Sequence, residues 1–323
     1  MGRYMIRRTL FGVLVLFVIS MMTFLIFMKL PAGDPARRLA GRQPTPETLE
    51  QVRINYGLDQ PFFTQYWRFA KGLIPLPGFW LDEKVYYSWV NRLPVKAEIA
   101  DAIKYTGMLT AGAVVLWLLI GIPIGILSAL KRRTWADRAS MTFALFGVSF
   151  PTFWLGYLLI YFFYYRLGWA PPTGVDHGEG VWQTALDGKF ILAWITLAVT
   201  SAAFYTRVVR GNMLETLSED YIRTARAKGL TERRVTYKHA LRASVTPVVT
   251  MLGLDVAGLL AGAVITEQVF VLPGLGAYAI RALEGQNFPP VMAVTLLAAL
   301  FIVVANLIVD IIYAALDPRV RYN

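Results

Sequence analysis

Six stretches of this chain are apolar enough, and long enough, that few environments other than a lipid bilayer suit them. Thr9–Met28, Thr106–Leu130, Ala139–Tyr165 and Asn287–Val309 contain no Asp, Glu, Lys, Arg or His. Phe190–Thr206 supplies 17 uncharged residues, and Ala243–Thr266 is interrupted by Asp255 alone. A helix needs roughly 20 apolar residues to cross about 30 Å of hydrocarbon. The expectation is therefore an all-α integral membrane protein with six transmembrane helices.

The loops supply the orientation, because cytoplasmic loops retain Lys and Arg. Arg3, Arg7 and Arg8 precede the first run; Lys131, Arg132, Arg133 and Arg138 lie between the second and third. Arg223, Arg226, Lys228, Arg233, Arg234, Lys238 and Arg242 lie between the fourth and fifth, and Arg319 and Arg321 follow the sixth. All these clusters share one side if both termini are cytoplasmic. The opposite side then receives a long extracytoplasmic segment between helices 1 and 2, with shorter loops near 166–189 and 267–286. The predicted organisation is an N-terminal helix over 1–30, an extracytoplasmic segment over 31–105 and a core over 106–323 with a cytoplasmic loop at 207–242. The first run also has a basic flank like that of a secretory leader, but its length and the absence of an A-x-A site in "KLPAGDP" favour a retained helix.

Composition narrows the chemistry. At 16% charged residues and a mean hydropathy of +0.49, the net charge of +11 fits membrane orientation better than nucleic-acid binding. With no cysteine and only His177 and His239, neither thiolate chemistry nor a zinc site is expected. In the outer segment, "TPETLEQVRINYGL" reads as a short helix capped by Thr45 or Thr48, and Trp67, Trp80, Tyr86, Tyr87 and Trp89 suggest a lid on the membrane surface.

The cytoplasmic stretch "LSEDYIRTARAKGLTERRVTYKHALR" reads as a folded element. Ser218 is placed to cap a helix with Glu219 and Asp220 in its first turn; Gly229 stands where a left-handed residue would stop it, and Thr231 can cap a second helix carrying Val235, Tyr237 and Leu241. A solvated loop obeying the charge rule is the plain alternative.

This stretch resembles the EAA loop of bacterial ABC importer permeases of the dipeptide/oligopeptide group. Arg223, Thr224 and Ala225 hold the E-A-A slots, Gly229 is the motif glycine, and His239–Arg242 stand in place of I-x-L-P. "GDP" with "YGLDQP", "TEQVFVLPGLG" and "NLIVDIIYAALDPRVR" also resemble that group, whereas "LPGFWLDEKVYYSW" departs from it near residue 78. The resemblance implies a type I ABC importer permease fold in a bacterial inner membrane. It further implies that Thr224, Ala225, Arg226, Ala227, Lys228, Gly229 and Leu230 form a coupling helix seated on a cytoplasmic ATPase. The implied partners are a homologous second permease, two ATPase subunits or domains and an extracytoplasmic binding protein. The implied cargo is short peptides, with nickel chelates, glutathione or oligosaccharides as alternatives within the family. The chain has no G-x-x-x-x-G-K-[ST] motif, "DGKF" at 187–190 lacking the earlier glycine and the hydroxyl, so ATP and Mg belong to the partner ATPases and no cofactor is expected here.

Polar residues at membrane depth complete the candidates. Asp255 either pairs with a neighbouring helix or lines the translocation pathway. Glu267 opens the stretch in which Pro273, Gly274 and Gly276 shape a turn at the outer mouth, a gate or simply a tight turn. Gly253, Gly258 and Gly262 with Ala257 and Ala261 suggest close helix contact. Asp310 is near enough to the cytoplasmic end to pair with Arg319 or Arg321, and Pro151 should kink the third span. A proton-coupled secondary transporter working through Asp255 is the reading from a different class; no catalytic residue is expected.

Overall fold

The computed structural model describes residues 2–29, 35–40, 44–72, 81, 86–176 and 178–316. Helix α1 (Gly2–Phe24) ends in a π-turn at Leu25–Lys29. The outer segment contains α2 (Pro35–Ala40), α3 (Pro46–Tyr56) and α4 (Phe62–Lys71). Thr45 caps α3 by accepting the Thr48 N–H at 3.2 Å, and Gly57 at φ +63 stops it. Part of "LPGFWLDEKVYYSW", with Trp80, lies outside the described residues, as do His177, Arg319 and Arg321.

Next come α5 (Val95–Leu130), α6 (Trp135–Ser149), α7 (Thr152–Leu159, extended by a π-turn Ile160–Arg166), α8 (Val181–Leu186) and α9 (Ile191–Ser218). The hairpin after α9 holds α10 (Asp220–Ala227), α11 (Glu232–Arg234), a π-turn at Val235–Ala240 and α12 (Leu241–Ser244). The chain ends with α13 (Thr246–Leu260), α14 (Val264–Val269), α15 (Leu275–Glu284) and α16 (Phe288–Leu316).

Four of these helices are long and apolar enough to cross a membrane, or up to six if each of two bent pairs counts as one span. Four apolar runs differ most from the helices they become, the fourth because α9 continues past Thr206 to Ser218, into the loop expected from 207. Helix α5 begins at Val95, ahead of the run that starts at Thr106. The third run is broken rather than kinked: α6 and α7 meet at 101°. Pro151 has no N–H to offer α6, and it forces Phe150 into an extended conformation (φ −92°, ψ 131°) that ends the helix. The fifth run is divided too. A 49° bend separates the hairpin from α13 at Pro247, and Gly262 at φ +125 parts α13 from α14.

Side-chain contacts fix the helix directions. Tyr105 stacks on Phe190, and Trp117 meets Tyr205, so α5 and α9 run parallel. They approach closely because a Cβ on Gly125 would stand 2.8 Å from Val209, a small-residue contact of the kind that lets membrane helices pack backbone to backbone. Asp137 against Arg210 and Gly147 against Ala203 set α6 antiparallel to α9. Asn212 to Ser244 and Tyr205 to Asp255 set α13 against α9 as well. Phe27 on Phe288 and Arg8 on Asp310 pair α1 with α16 head to tail. The described partner of Asp310 is thus Arg8.

One apolar core lies between α5, α9 and the hairpin. A second joins α1, α4, the start of α5 and α16, where Phe24, Tyr66 and Phe69 pack ring against ring. Around them, α1 leaves Ile6, Leu10, Phe11, Leu14 and Phe17 exposed, an apolar exterior suited to lipid or to another membrane helix.

Candidate functional site

The hairpin after α9 is built to be rigid. Its first cap differs from the sequence expectation: Ser218 closes α9 and donates to the Glu215 carbonyl, while Glu219, in extended conformation, occupies the cap of α10 without a side-chain bond. Asp220 lies in the first turn, where the dipole favours an acid. Ile222 and Ala225, three apart, are buried against the bundle. At the far end Gly229 takes φ +75; its N–H bonds to the Arg226 carbonyl at 2.9 Å and the Leu230 N–H to the Ala225 carbonyl at 3.4 Å. Those two bonds make a Schellman stop, with Leu230 half-buried on the core as the accompanying apolar contact. Asn212 donates to the Ser244 carbonyl at 3.1 Å, and the Ser244 and Thr216 hydroxyls meet at 3.1 Å, tying α12 to α9.

Seven residues of this hairpin are coupling candidates, and the fold divides them into two faces. Thr224, Arg226, Ala227, Lys228 and Gly229 are exposed, whereas Ala225 and Leu230 turn into the chain's own core. Arg226 is bidentate to Glu232 at 2.8 and 3.3 Å across the turn. The accessible face is small, cationic and firmly backed.

At the outer end, Glu267 anchors a turn. It is buried and accepts from the Thr106 hydroxyl at 2.7 Å and the Ala277 N–H at 2.8 Å, while Thr106 accepts the Leu275 N–H at 2.8 Å. Two orphan donors at the start of α15 are thereby satisfied by side chains. Gly274 leaves room for the carboxylate, since a Cβ there would lie 2.3 Å from it. Gly262 and Gly276 pass backbone against backbone, a Cβ on Gly262 falling 2.8 Å from Gly276. Pro273 sits between these contacts, and Tyr278 donates to Glu98 on α5 at 2.6 Å. Glu267 thus holds the turn through bonds within the fold.

Midway along the bundle, Asp255 accepts a 2.6 Å hydrogen bond from the buried Tyr205 hydroxyl yet remains exposed. It borders a cavity of about 400 Å³ lined also by Trp117, Thr200, Ser201, Phe204 and Gly258. The three glycines of this region have separate roles. Gly253 packs on α16, where a Cβ would meet Val309 at 2.3 Å; Gly262 makes the turn; Gly258 faces open space.

A buried ion pair was not foreseen. Asp137 accepts from Ser128 Oγ at 2.6 Å, the Arg133 N–H at 2.9 Å, and Arg210 Nε and NH2 at 2.7 and 3.0 Å. One carboxylate so joins the C-terminal parts of α5 and α9 to the start of α6. The signal available in sequence was an acid in the first turn after the basic "KRRT" and an arginine set among apolar neighbours in α9. Among the described residues, no group of His, Asp and Glu is arranged to hold a metal ion.

Comparison with known proteins agrees with this architecture. The family profile for the binding-protein-dependent transport system inner membrane component matches residues 121–322, and the corresponding N-terminal profile matches residues 1–110. The chain is 41% identical over 323 residues to the glutathione transport system permease protein GsiC of Escherichia coli (strain K12), covering all of both chains. The proteins of that name from Shigella boydii serotype 4 (strain Sb227) and Shigella flexneri serotype 5b (strain 8401) match to the same extent. The MetNI methionine ABC transporter, solved in inward-facing conformations, aligns with a TM-score of 0.55 at 19% identity over 69% of this chain and 98% of that one, a likeness of fold.

Proposed function

The chain belongs to the binding-protein-dependent transport system inner membrane component family, and from that premise we propose that it forms half of a six-plus-six-helix pathway for short peptides. As a member it is a multi-pass inner-membrane permease component of an ABC importer, and ATP hydrolysis is done by separate subunits. Six crossings with both termini cytoplasmic are supported by the helix directions: α1, the α6–α7 pair and α13 run against α5, α9 and α16. Each bent pair then counts as one crossing. Among the described residues, the basic clusters around Arg8, Lys131–Arg138 and the hairpin fall together at one end of this arrangement.

The observation that carries the reading is the hairpin. A solvated linker needs neither a Schellman stop nor a buried isoleucine, whereas a segment that must transmit force needs both. Two ATPase subunits, using ATP and Mg, grip the exposed face of Thr224, Arg226, Ala227, Lys228 and Gly229. Ala225 and Leu230 contribute by fixing that face to the core. A sister permease completes the pathway along the face of α13 that carries Asp255 and Gly258, and a binding protein delivers cargo near the turn at Pro273, Gly274 and Gly276, with Glu267 bracing that turn from within. Asp255 lines the pathway.

Short peptides are the proposed cargo. Glutathione, the alternative on sequence and itself a tripeptide, is what the relatives at 41% identity are named for, and nickel chelates and oligosaccharides are the other competing cargoes. The test is ATP-driven uptake by the complete reconstituted complex into vesicles, offered glutathione, dipeptides, a nickel chelate and an oligosaccharide in turn. Uptake of glutathione or dipeptides is expected; uptake confined to the chelate or the sugar would refute the cargo assignment. Transport by the chain without nucleotide would refute the coupling.

A further inference from the structure

Asp255 presents an electrostatic problem that its own chain leaves unsolved. A carboxylate at hydrocarbon depth is costly unless a counter-charge or several donors compensate it. Among the described residues it has one hydrogen-bond partner, the Tyr205 hydroxyl at 2.6 Å, and no ion pair. Tyr205 is fully buried and its ring lies 5.8 Å from that of Trp117, so the bond aims the carboxylate without neutralising it. The second oxygen has no hydrogen bond among the described residues, and beside it in the cavity lining Phe204 is 48% exposed and Ser201 has no hydrogen-bond partner among the described residues. A fixed carboxylate, an accessible aromatic face and a free hydroxyl around about 400 Å³ are the components that recognise an alkylammonium ion.

We propose that Asp255, aimed by Tyr205 and flanked by Phe204 and Ser201, is a cargo subsite for a primary ammonium group. The inference rests on the peptide reading above and sharpens it: the cargo's free amine supplies the missing counter-charge as it passes. A cargo lacking a cation leaves the carboxylate uncompensated, so the subsite selects for free amines over blocked ones. A counter-charge supplied permanently by the sister permease is the competing account.

The experiment uses the complete complex in vesicles with ATP, offering glutathione and its N-acetylated form, each at saturating concentration for the binding protein as measured separately. Wild type is expected to carry the free amine well and the acetylated form poorly. Asp255→Asn should lower uptake of the free amine by about tenfold or more, the loss of one charge-assisted hydrogen bond, and leave the acetylated form unchanged, so that the preference collapses. Tyr205→Phe keeps the charge and should loosen the preference without abolishing uptake, which keeps the test open if the Asn variant fails to assemble. Equal loss of both cargoes in Asp255→Asn, or an unaltered preference in both variants, would overturn the subsite. Release of the sister permease on purification of Asp255→Asn, with Tyr205→Phe unaltered, would overturn it in favour of the intersubunit pair. Absence of peptide uptake by wild type would instead refute the cargo reading itself.

Discussion

Replacing Asp137 with asparagine keeps the shape of the side chain and removes its charge, and the four hydrogen bonds at this site set the size of the effect. Oδ1 accepts from Ser128 and Arg210 Nε, and Oδ2 from the Arg133 N–H and Arg210 NH2. An asparagine amide nitrogen placed at either position faces at least one donor that cannot turn away. If it stands at Oδ1, Ser128 can rotate and only Arg210 Nε is stranded; at Oδ2, two donors are. Breaking a buried ion pair from one side costs about 3–5 kcal/mol. The Asp137 side chain is 8% exposed but that of Arg210 is 23% exposed, so partial hydration of the guanidinium puts Asp137→Asn near the lower end, about 3 kcal/mol. Arg210→Met should cost a similar amount by leaving the carboxylate without its counter-charge, held only by Ser128 and the Arg133 N–H. The assay is thermal unfolding of the purified complex for both single variants and the double. Removing both charges should be milder than either loss would suggest, with a coupling energy of about 2 kcal/mol. Strictly additive single effects, within about 0.5 kcal/mol, would refute the assignment of this pair as a joint among α5, α6 and α9.

Three other expectations follow from local geometry. Gly229→Ala adds a Cβ that meets nothing within 4 Å, so its cost is conformational alone, about 1 kcal/mol for the left-handed backbone; Gly229→Asn should cost less and Gly229→Val more, an ordering to be read from amide hydrogen exchange across 220–231. Thr106→Val removes the hydroxyl that donates to Glu267 and accepts from Leu275, and should destabilise the outer turn by about 2 kcal/mol, seen as faster proteolysis between α14 and α16. Near the outer loop, the hydrogen bond from Lys189 holds the Glu179 carboxyl below the ordinary carboxylate range, and Asp176 and Glu179 hold Lys189 above the ordinary lysine range. Their contribution to stability is present between those ranges; it is lost as acid protonates Glu179 and, at the other extreme, as base deprotonates Lys189. Lys189→Met should therefore melt earlier than wild type at neutral pH, with the gap closing as pH falls through the carboxylate range; a gap independent of pH would contradict the pairing.

Much of the fold was legible because the bilayer imposes a simple demand: a long uncharged run must become a helix. The same demand hid the breaks. Nothing in the composition of "VSFPTFW" distinguishes a mild kink from a 101° turn, since that depends on which neighbours accept the freed carbonyls. Ends were equally obscure: α5 starts at Val95 because Val95, Ile99 and Ala102 pack into the second core, a contact with α4 and α16 that sequence spacing does not reveal. At the hairpin, Gly229 was readable because few residues accept φ +75, whereas Ser218 is the better cap by chemistry and loses the position only because α9 runs on through it. Long-range polar contacts lay beyond reach: Arg210 is 73 residues from Asp137, and Thr106 is 161 from Glu267.

Helix α9 runs without interruption for 28 residues, from the loop facing one aqueous phase to the hairpin facing the other. At 1.5 Å per residue it is a beam about 42 Å long, and α5 lies alongside it in the same direction. A beam held at both ends cannot tilt at one alone. Through that continuity a displacement of the hairpin is carried to the residues around Phe190 and Trp194, at the other end of the same helix.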